Sequence, residues 1–262
     1  MLTLGTILGR GRTEPREARA RWSVEMADIA VYAVGDVHGC LDLLLALEEE
    51  IAADAAQLPG DKLIIMLGDY IDRGPASAKV IDHLMAPPPA GTHRICLAGN
   101  HEMTMLDYLD RRIARSDWTR LGGDRTLMSY GIDHEHLARL AGDEPERYDS
   151  MIRAMIPAEH VDFLRRLPVL VESPTHLFVH AGLQPGVPLD QQADEELMTI
   201  RSRFYTNADR LDHFVIHGHT PITEPQLEGR RLNLDTGAYF SGRLCAVRIW
   251  RNTGRFLFGR TG

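Results

Sequence analysis

Leu63-Ile64-Ile65-Met66-Leu67-Gly68-Asp69-Tyr70-Ile71-Asp72-Arg73-Gly74 joins an apolar run to a turn that holds two carboxylates and a guanidinium. The run 63–67 has the length and branching of a buried strand. Charge left without a partner at the end of such a strand is costly, so something must take up the charge of the turn. A carboxylate on a short glycine-bounded turn can reach a hard cation, and an arginine four residues later can fork onto a phosphate. Metal together with phosphate is the first expectation.

The same pattern lies on both sides of this stretch. Residues 29–34 are apolar and stop at Gly35-Asp36-Val37-His38-Gly39, and then Leu41, Leu44, Leu45, Leu47 and Ile51 recur at helical spacing. After the 68–74 turn a helix is expected over 76–85, ended by Pro87-Pro88-Pro89. Residues 94–98 form the third apolar run, and Gly99-Asn100-His101-Glu102 leads into a helix through Arg112. Three strand–turn–helix units imply an α/β protein with a largely parallel, buried sheet. Open α/β sheets collect ligands at the carboxyl ends of their strands, where all three polar turns fall. Residues 113–168 are charged and helical in pattern, punctuated by Gly122-Gly123, Gly131 and Gly142, and are expected to be an inserted helical cap. Strand signals resume at 176–180, 213–217, 231–235, 244–250 and 256–258, and these are expected to close a second sheet.

Composition excludes several classes. No apolar run approaches the roughly 18 residues of a membrane-spanning helix, and a formal charge of -8 argues against a broad nucleic-acid surface. Cys40, Cys96 and Cys245 are odd in number and widely spaced, so neither a disulfide framework nor a thiolate zinc site is indicated. A reducing cytoplasm is the expected location. Residues 1–28 have no signal-peptide pattern and are expected to be a frayed tail ahead of one catalytic domain, 29–262.

Collected, the strand-end turns carry Asp36, His38, Asp69, Asn100, His101, His180, His217 and His219. A lone histidine after a strand is ordinarily a surface residue or a satisfied core residue, but five such turns in one chain are not independent. Mixed Asp, His and Asn donors suit manganese, iron or zinc, and their number suits two divalent ions, since one carboxylate such as Asp69 can bridge a pair.

The ordered motifs GDVHG (35–39), GDYIDRG (68–74), GNHE (99–102), HAG (180–182) and GHT (218–220) resemble those of the phosphoprotein phosphatase family of metallophosphoesterases, and most of all its bacterial and phage serine/threonine phosphatases. The resemblance spans roughly residues 29–250. It implies a calcineurin-like four-layer αββα sandwich with a binuclear metal centre. Asp36 and His38 would hold one metal, Asp69 would bridge, and Asn100, His180 and His219 would hold the other. His217 and His219 compete for one ligand role, and the family pattern favours His219. Arg73 and Arg201, with Asn100, would contact the phosphate; Arg203 is close enough to Arg201 to be confused with it. His101 would be the general acid, oriented by Asp72, although Asp72 could instead pair with Arg73 or cap the following turn. Tyr239 is placed at the rim of the site. His83, His93, His134, His136, His160, His176 and His213 have no motif context and are expected at the surface.

The expected reaction is hydrolysis of phosphate monoesters, with phosphoserine and phosphothreonine in proteins as first substrate, by in-line attack of a water activated between two metals. The nearest alternative is a symmetrical dinucleoside tetraphosphate hydrolase. That relative carries alanine where this chain has Asp72, and Asp where it has Glu102. A catalytically silent binding module is the third reading, opposed by the presence of every ligand.

Overall fold

The computed structural model describes residues 17–251 and 253–260. The chain enters through a short strand, β1 (Arg21–Ser23), and then runs through the three expected units: β2 (Ala30–Val34) with α1 (Leu41–Ala55), β3 (Lys62–Met66) with α2 (Ser77–Met85), and β4 (Thr92–Cys96) with α3 (Asn100–Leu109). Strands β2, β3 and β4 pair in parallel, and every residue of β2 and β3 is buried, as befits strands covered on both faces.

Helices α4 (Arg115–Trp118), α5 (Asp124–Ser129), α6 (His134–Ala141), α7 (Pro145–Met155) and α8 (Ala158–Arg166) follow, with a π-helical turn at Thr119–Gly123. These helices occupy the span expected to form a helical cap. They pack on α2 and α3, thickening the outer helical layer, and reach the Asp72 loop from behind. The remainder comprises β5 (Leu170–Glu172), β6 (His176–Val179), α9 (Asp194–Thr199), α10 (Ser202–Tyr205), β7 (Phe214–His217), β8 (Gln226–Glu228), β9 (Arg231–Asn233), α11 (Ala238–Ser241), β10 (Arg243–Trp250) and β11 (Thr253–Arg260).

Two sheets result, ordered β11-β10-β2-β3-β4 and β1-β5-β6-β7-β9-β8. Period-2 alternation divides each strand between two cores. Val31, Ala33, Ile65 and Leu67 of the first sheet meet Phe178, Ile216 and Leu232 of the second. Tyr32, Val34, Ile64 and Met66 face the helices with Leu44, Leu47, Val80 and Ile81, while Val179 and Val215 pack with Leu197 and Phe204 on the far side. Helices, sheet, sheet and helices make the expected four layers.

Two expectations are corrected. Strands β10 and β11 do not close the second sheet; β10 pairs antiparallel with β2, Ala246 opposite Val34, and so extends the first. Alternation explains the choice, because Cys245, Val247 and Ile249 complete the inter-sheet core while Leu244 and Ala246 face the other way. The tail expected to fray as far as 28 is tied down from at least Arg19. β1 pairs parallel with β5, and Arg21 donates to Leu189 O at 2.6 Å and Asp194 Oδ1 at 2.9 Å. Residues 1–16 lie outside the described residues. Among the described residues, no helix is long and apolar enough to cross a membrane.

Candidate active site

The turn after β3 carries Asp69 onto a floor made by Glu102. Glu102 Oε2 accepts from the backbone N–H of Asp69 and of Gly99, each at 2.9 Å, and Oε1 accepts from Tyr70 N–H at 2.8 Å. One buried carboxylate thereby locks the second motif to the third. Burial and then the Asp69 charge push Glu102 up to about 7. Gly99 is required at this junction, because a Cβ there would lie 2.1 Å from Asp69 Oδ1. Gly218 plays the same part opposite Asp36, whose Oδ1 would be 2.0 Å from an added Cβ.

Around Asp69 Oδ2 lie His180 Nε2 at 3.4 Å, His38 Nε2 at 3.7 Å and His101 Nε2 at 3.8 Å. Asn100 Oδ1 faces His219 Nδ1 at 2.8 Å and His180 Nε2 at 3.1 Å. Ligand atoms of Asp69, His180 and His219 converge in one buried group, and those of His38, Asp69 and His101 in a second that shares Asp69. The rings are aimed by backbone carbonyls: His38 Nδ1 lies 2.8 Å from Ile71 O, and His180 Nδ1 lies 3.0 Å from Leu67 O. Such outer partners fix which nitrogen is left to bind a metal. Asp36 accepts from His219 N–H at 3.0 Å through Oδ2, while its Oδ1 and the Nε2 of His219 are buried without a hydrogen-bond partner. Burial and the nearby Asp235 and Asp69 carboxylates raise Asp36 well above the usual range. His180 and His101, against the opposing effect of burial, hold Asp69 well below it. Crowded buried acids, convergent imidazoles and a side-chain amide are the donor set of a divalent metal centre, and the unpartnered Asp36 oxygen fits a role in it.

The expected dyad is present. His101 Nδ1 lies 2.8 Å from Asp72 Oδ2, and Asp72 also accepts from Thr126 Oγ1 at 2.7 Å and from Trp118 Nε1 at 3.1 Å. Burial disfavours charge on His101, but Asp69 and Asp72 together raise its pKa. Burial likewise raises Asp72. Arg73 is half-buried, its guanidinium 3.2 Å from His38 Nε2. Arg201 donates to Thr220 Oγ1 at 3.2 Å, beside the GHT motif, whereas Arg203 lies within α10 and is exposed. His217 is fully buried but belongs to neither ligand group; its ring stacks on Tyr205 at 5.8 Å and its Nδ1 lies 3.0 Å from Gly218 O. Tyr239 is at the rim, its ring 5.5 Å from that of His38.

Seven non-glycine residues among those described have positive φ, and five of them are His38, Asp69, Asp72, Arg73 and His219. Each costs about 1 kcal/mol or more and persists only where the surroundings impose it. The strain is concentrated on the loops of the site.

The profile of the calcineurin-like phosphoesterase family matches residues 29–246. The chain belongs to this family. Its members use divalent metal ions, in keeping with the donor set just described, and a phosphoesterase hydrolase is the activity class. The chain is 25% identical over 239 residues to an asymmetrical bis(5'-nucleosyl)-tetraphosphatase PrpE of Halalkalibacterium halodurans, covering 82% of this chain and 88% of the relative. It is 29% identical over 231 residues to serine/threonine-protein phosphatase 1 of Salmonella typhimurium, covering 84% and 91%. A crystal structure of a putative diadenosine tetraphosphatase superposes with a TM-score of 0.64 at 20% identity, over 94% of this chain and all of the other, which establishes the shared fold.

Three features were not legible in the sequence. Trp118 and Thr126 lie 46 and 54 residues from Asp72 and belong to no motif. Asp235, 1% exposed with Oδ2 unpartnered, adds a third acid near Asp36 and Asp69; its place two residues after β9 was the available signal. His160 corrects the surface reading. It is buried between Tyr130 OH and Asp82 Oδ1, each at 2.9 Å, because α8 packs on α2 and its polar ring needs two partners there.

Proposed function

We propose that this chain hydrolyses dinucleoside tetraphosphates, cleaving a phosphoanhydride bond. The observation that carries the reading is a guanidinium group beside each of the two metal-ligand groups, Arg73 against His38 of one and Arg201 on Thr220, next in sequence to His219 of the other. A cation beside each group suits an extended polyphosphate. Relatives bearing the tetraphosphatase name align with more than four-fifths of the chain, which supports the same reading. Asp72 and Glu102 favour protein phosphatase, and serine/threonine-protein phosphatase 1 aligns at similar length, but tetraphosphatase names are the more numerous among the relatives of similar coverage.

In this proposal Asp36, His38, Asp69, Asn100, His180 and His219 hold two divalent ions, with manganese the first to test. Bound there, such ions polarise phosphoryl oxygens and lower the pKa of an attacking water. The protein's own groups do the rest. Arg73 and Arg201 grip the phosphoryl oxygens as charge develops on them, Asn100 orients at the helix α3 N-terminus, and His101 gives its Nε2 proton to the departing oxygen while Asp72 steadies Nδ1. Glu102 holds the Asp69 and Asn100 loops at fixed separation throughout.

A second reading, phosphoserine and phosphothreonine hydrolysis in proteins, is favoured by the buried dyad. A serine alkoxide leaves only if protonated, whereas a nucleotide departs as a stable anion, so a dedicated acid matters more for the ester. The deciding experiment gives the manganese-loaded enzyme diadenosine tetraphosphate or a phosphoserine peptide. The larger kcat/KM is expected for the dinucleotide, with ATP and AMP separating asymmetrical from symmetrical cleavage to two ADP. Faster phosphate release from the peptide would replace the first reading with the second.

A further inference from the structure

Residues of α11 present two aromatic rings that the chemistry above does not use. Phe240 is 61% and Tyr239 40% exposed, and they meet edge to face at 5.0 Å. Leaving a phenyl ring this open gives up most of the stabilisation its burial would supply. Its position is nonetheless fixed. Left-handed glycines, Gly237 at φ 64° and Gly242 at φ 67°, bound the turn. The Phe240 ring lies back over Gly237, where an added Cβ would be 2.1 Å from Cζ, and Phe240 N–H donates to Gly237 O at 3.0 Å. The pair is continuous with the phosphate site, because the Arg73 guanidinium lies 5.0 Å from the centroid of the Tyr239 ring.

We infer that the Phe240 ring, braced by Tyr239, is the platform on which a nucleobase of the substrate stacks while Arg73 holds the phosphate chain. The inference rests on the dinucleotide reading and adds the subsite that reads the base. A rigid, exposed π-face offers stacking to any base at small entropic cost. Distance selects the occupant. In an aryl phosphate the ring is bonded to the ester oxygen itself and would stop at Tyr239, and a phosphoserine has no ring. In a nucleotide the ribose separates base from phosphorus, so the base reaches one ring further, to Phe240.

The test compares wild type, Phe240→Leu and Phe240→Trp as manganese-loaded enzymes, with para-nitrophenyl phosphate as reporter and AMP or inorganic phosphate as competitive inhibitor. Phe240→Leu keeps an apolar side chain and removes the π-face. It is expected to weaken AMP inhibition by about tenfold relative to phosphate inhibition, with Phe240→Trp restoring it. The ratio of kcat/KM for diadenosine tetraphosphate to that for inorganic tripolyphosphate should fall by the same factor. Equal weakening of AMP and phosphate, or none, overturns the platform. A wild-type enzyme inert toward diadenosine tetraphosphate, yet showing the Phe240-dependent AMP effect, would sink the dinucleotide reading and leave the platform standing.

Discussion

Asp72 accepts from the Trp118 indole and the Thr126 hydroxyl and faces His101 at 2.8 Å, while its own N–H donates to Thr126 Oγ1 and Ser77 Oγ. No solvent reaches it. Of the roles open to this residue in the sequence, the orienting partner of His101 is therefore the one its contacts support. Asp72→Asn places an amide opposite His101 and removes a carboxylate that raises the imidazole's pKa. Turnover should fall by about 100-fold, and more for β-glycerophosphate than for para-nitrophenyl phosphate, because the alkyl leaving group depends most on the acid. Metal content, measured on the same samples, should be unchanged. An equal loss on both esters would remove His101 from the proton-transfer step. The dyad itself was legible, since both members sit in recognisable turns. The groups that hold it were not, because nothing in local sequence marks a tryptophan as a hydrogen-bond donor to a distant loop.

The helical insertion shows its purpose at the scale of elements. α4 and the π-helical turn bring Trp118 against Asp72 and Gly122 O onto Arg73 N–H at 3.2 Å, so the insertion braces the second motif. Trp118 is fully buried, stacked on Tyr108 at 5.3 Å, and Gly123 makes room for it, since a Cβ there would lie 2.6 Å from the indole. Trp118→Phe keeps the ring contact and removes one donor from a buried carboxylate. A charged-group hydrogen bond of this kind contributes about 2 kcal/mol. The expected outcome is a turnover loss of about tenfold with a melting temperature lowered by only a few degrees, read by steady-state kinetics and circular dichroism. A large thermal loss with unchanged turnover would make Trp118 a packing residue alone. Helical periodicity and glycine punctuation disclosed the insertion, but its docking on α2 and α3 depends on surfaces that only the assembled layers present.

Across the whole molecule, Asp54 ties the first βα unit to the β10–β11 hairpin. This carboxylate, 3% exposed at the end of α1, accepts from Tyr32 OH at 2.9 Å, Arg248 at 3.0 Å and Arg255 at 2.7 Å, linking β2, β10 and β11. Asp54→Ala should destabilise the fold by about 3 kcal/mol, because Tyr32 and the largely buried Arg248 lose their shared acceptor. Urea unfolding would register this as a lowered midpoint at constant slope, and a change under about 0.5 kcal/mol would show that solvent replaces the carboxylate.

Three βα units, the parallel heart of the first sheet and the residues that gather at its strand ends are written into local sequence. Local patterning suffices for these, because strand, turn and helix signals are encoded within a dozen residues. Sheet membership of β10 and β11, the anchoring of β1, the burial of His160 and the supports of Asp72 were decided by tertiary structure alone. Each depends on which distant surface a segment meets, and an alternating strand or an isolated aromatic residue is compatible with several. The turn at 68–74 spans both kinds of knowledge. Its charges announced a metal and a phosphate, while the geometry that makes Asp69 converge with His38, His180 and His219 required four separate strand ends to be brought to one place.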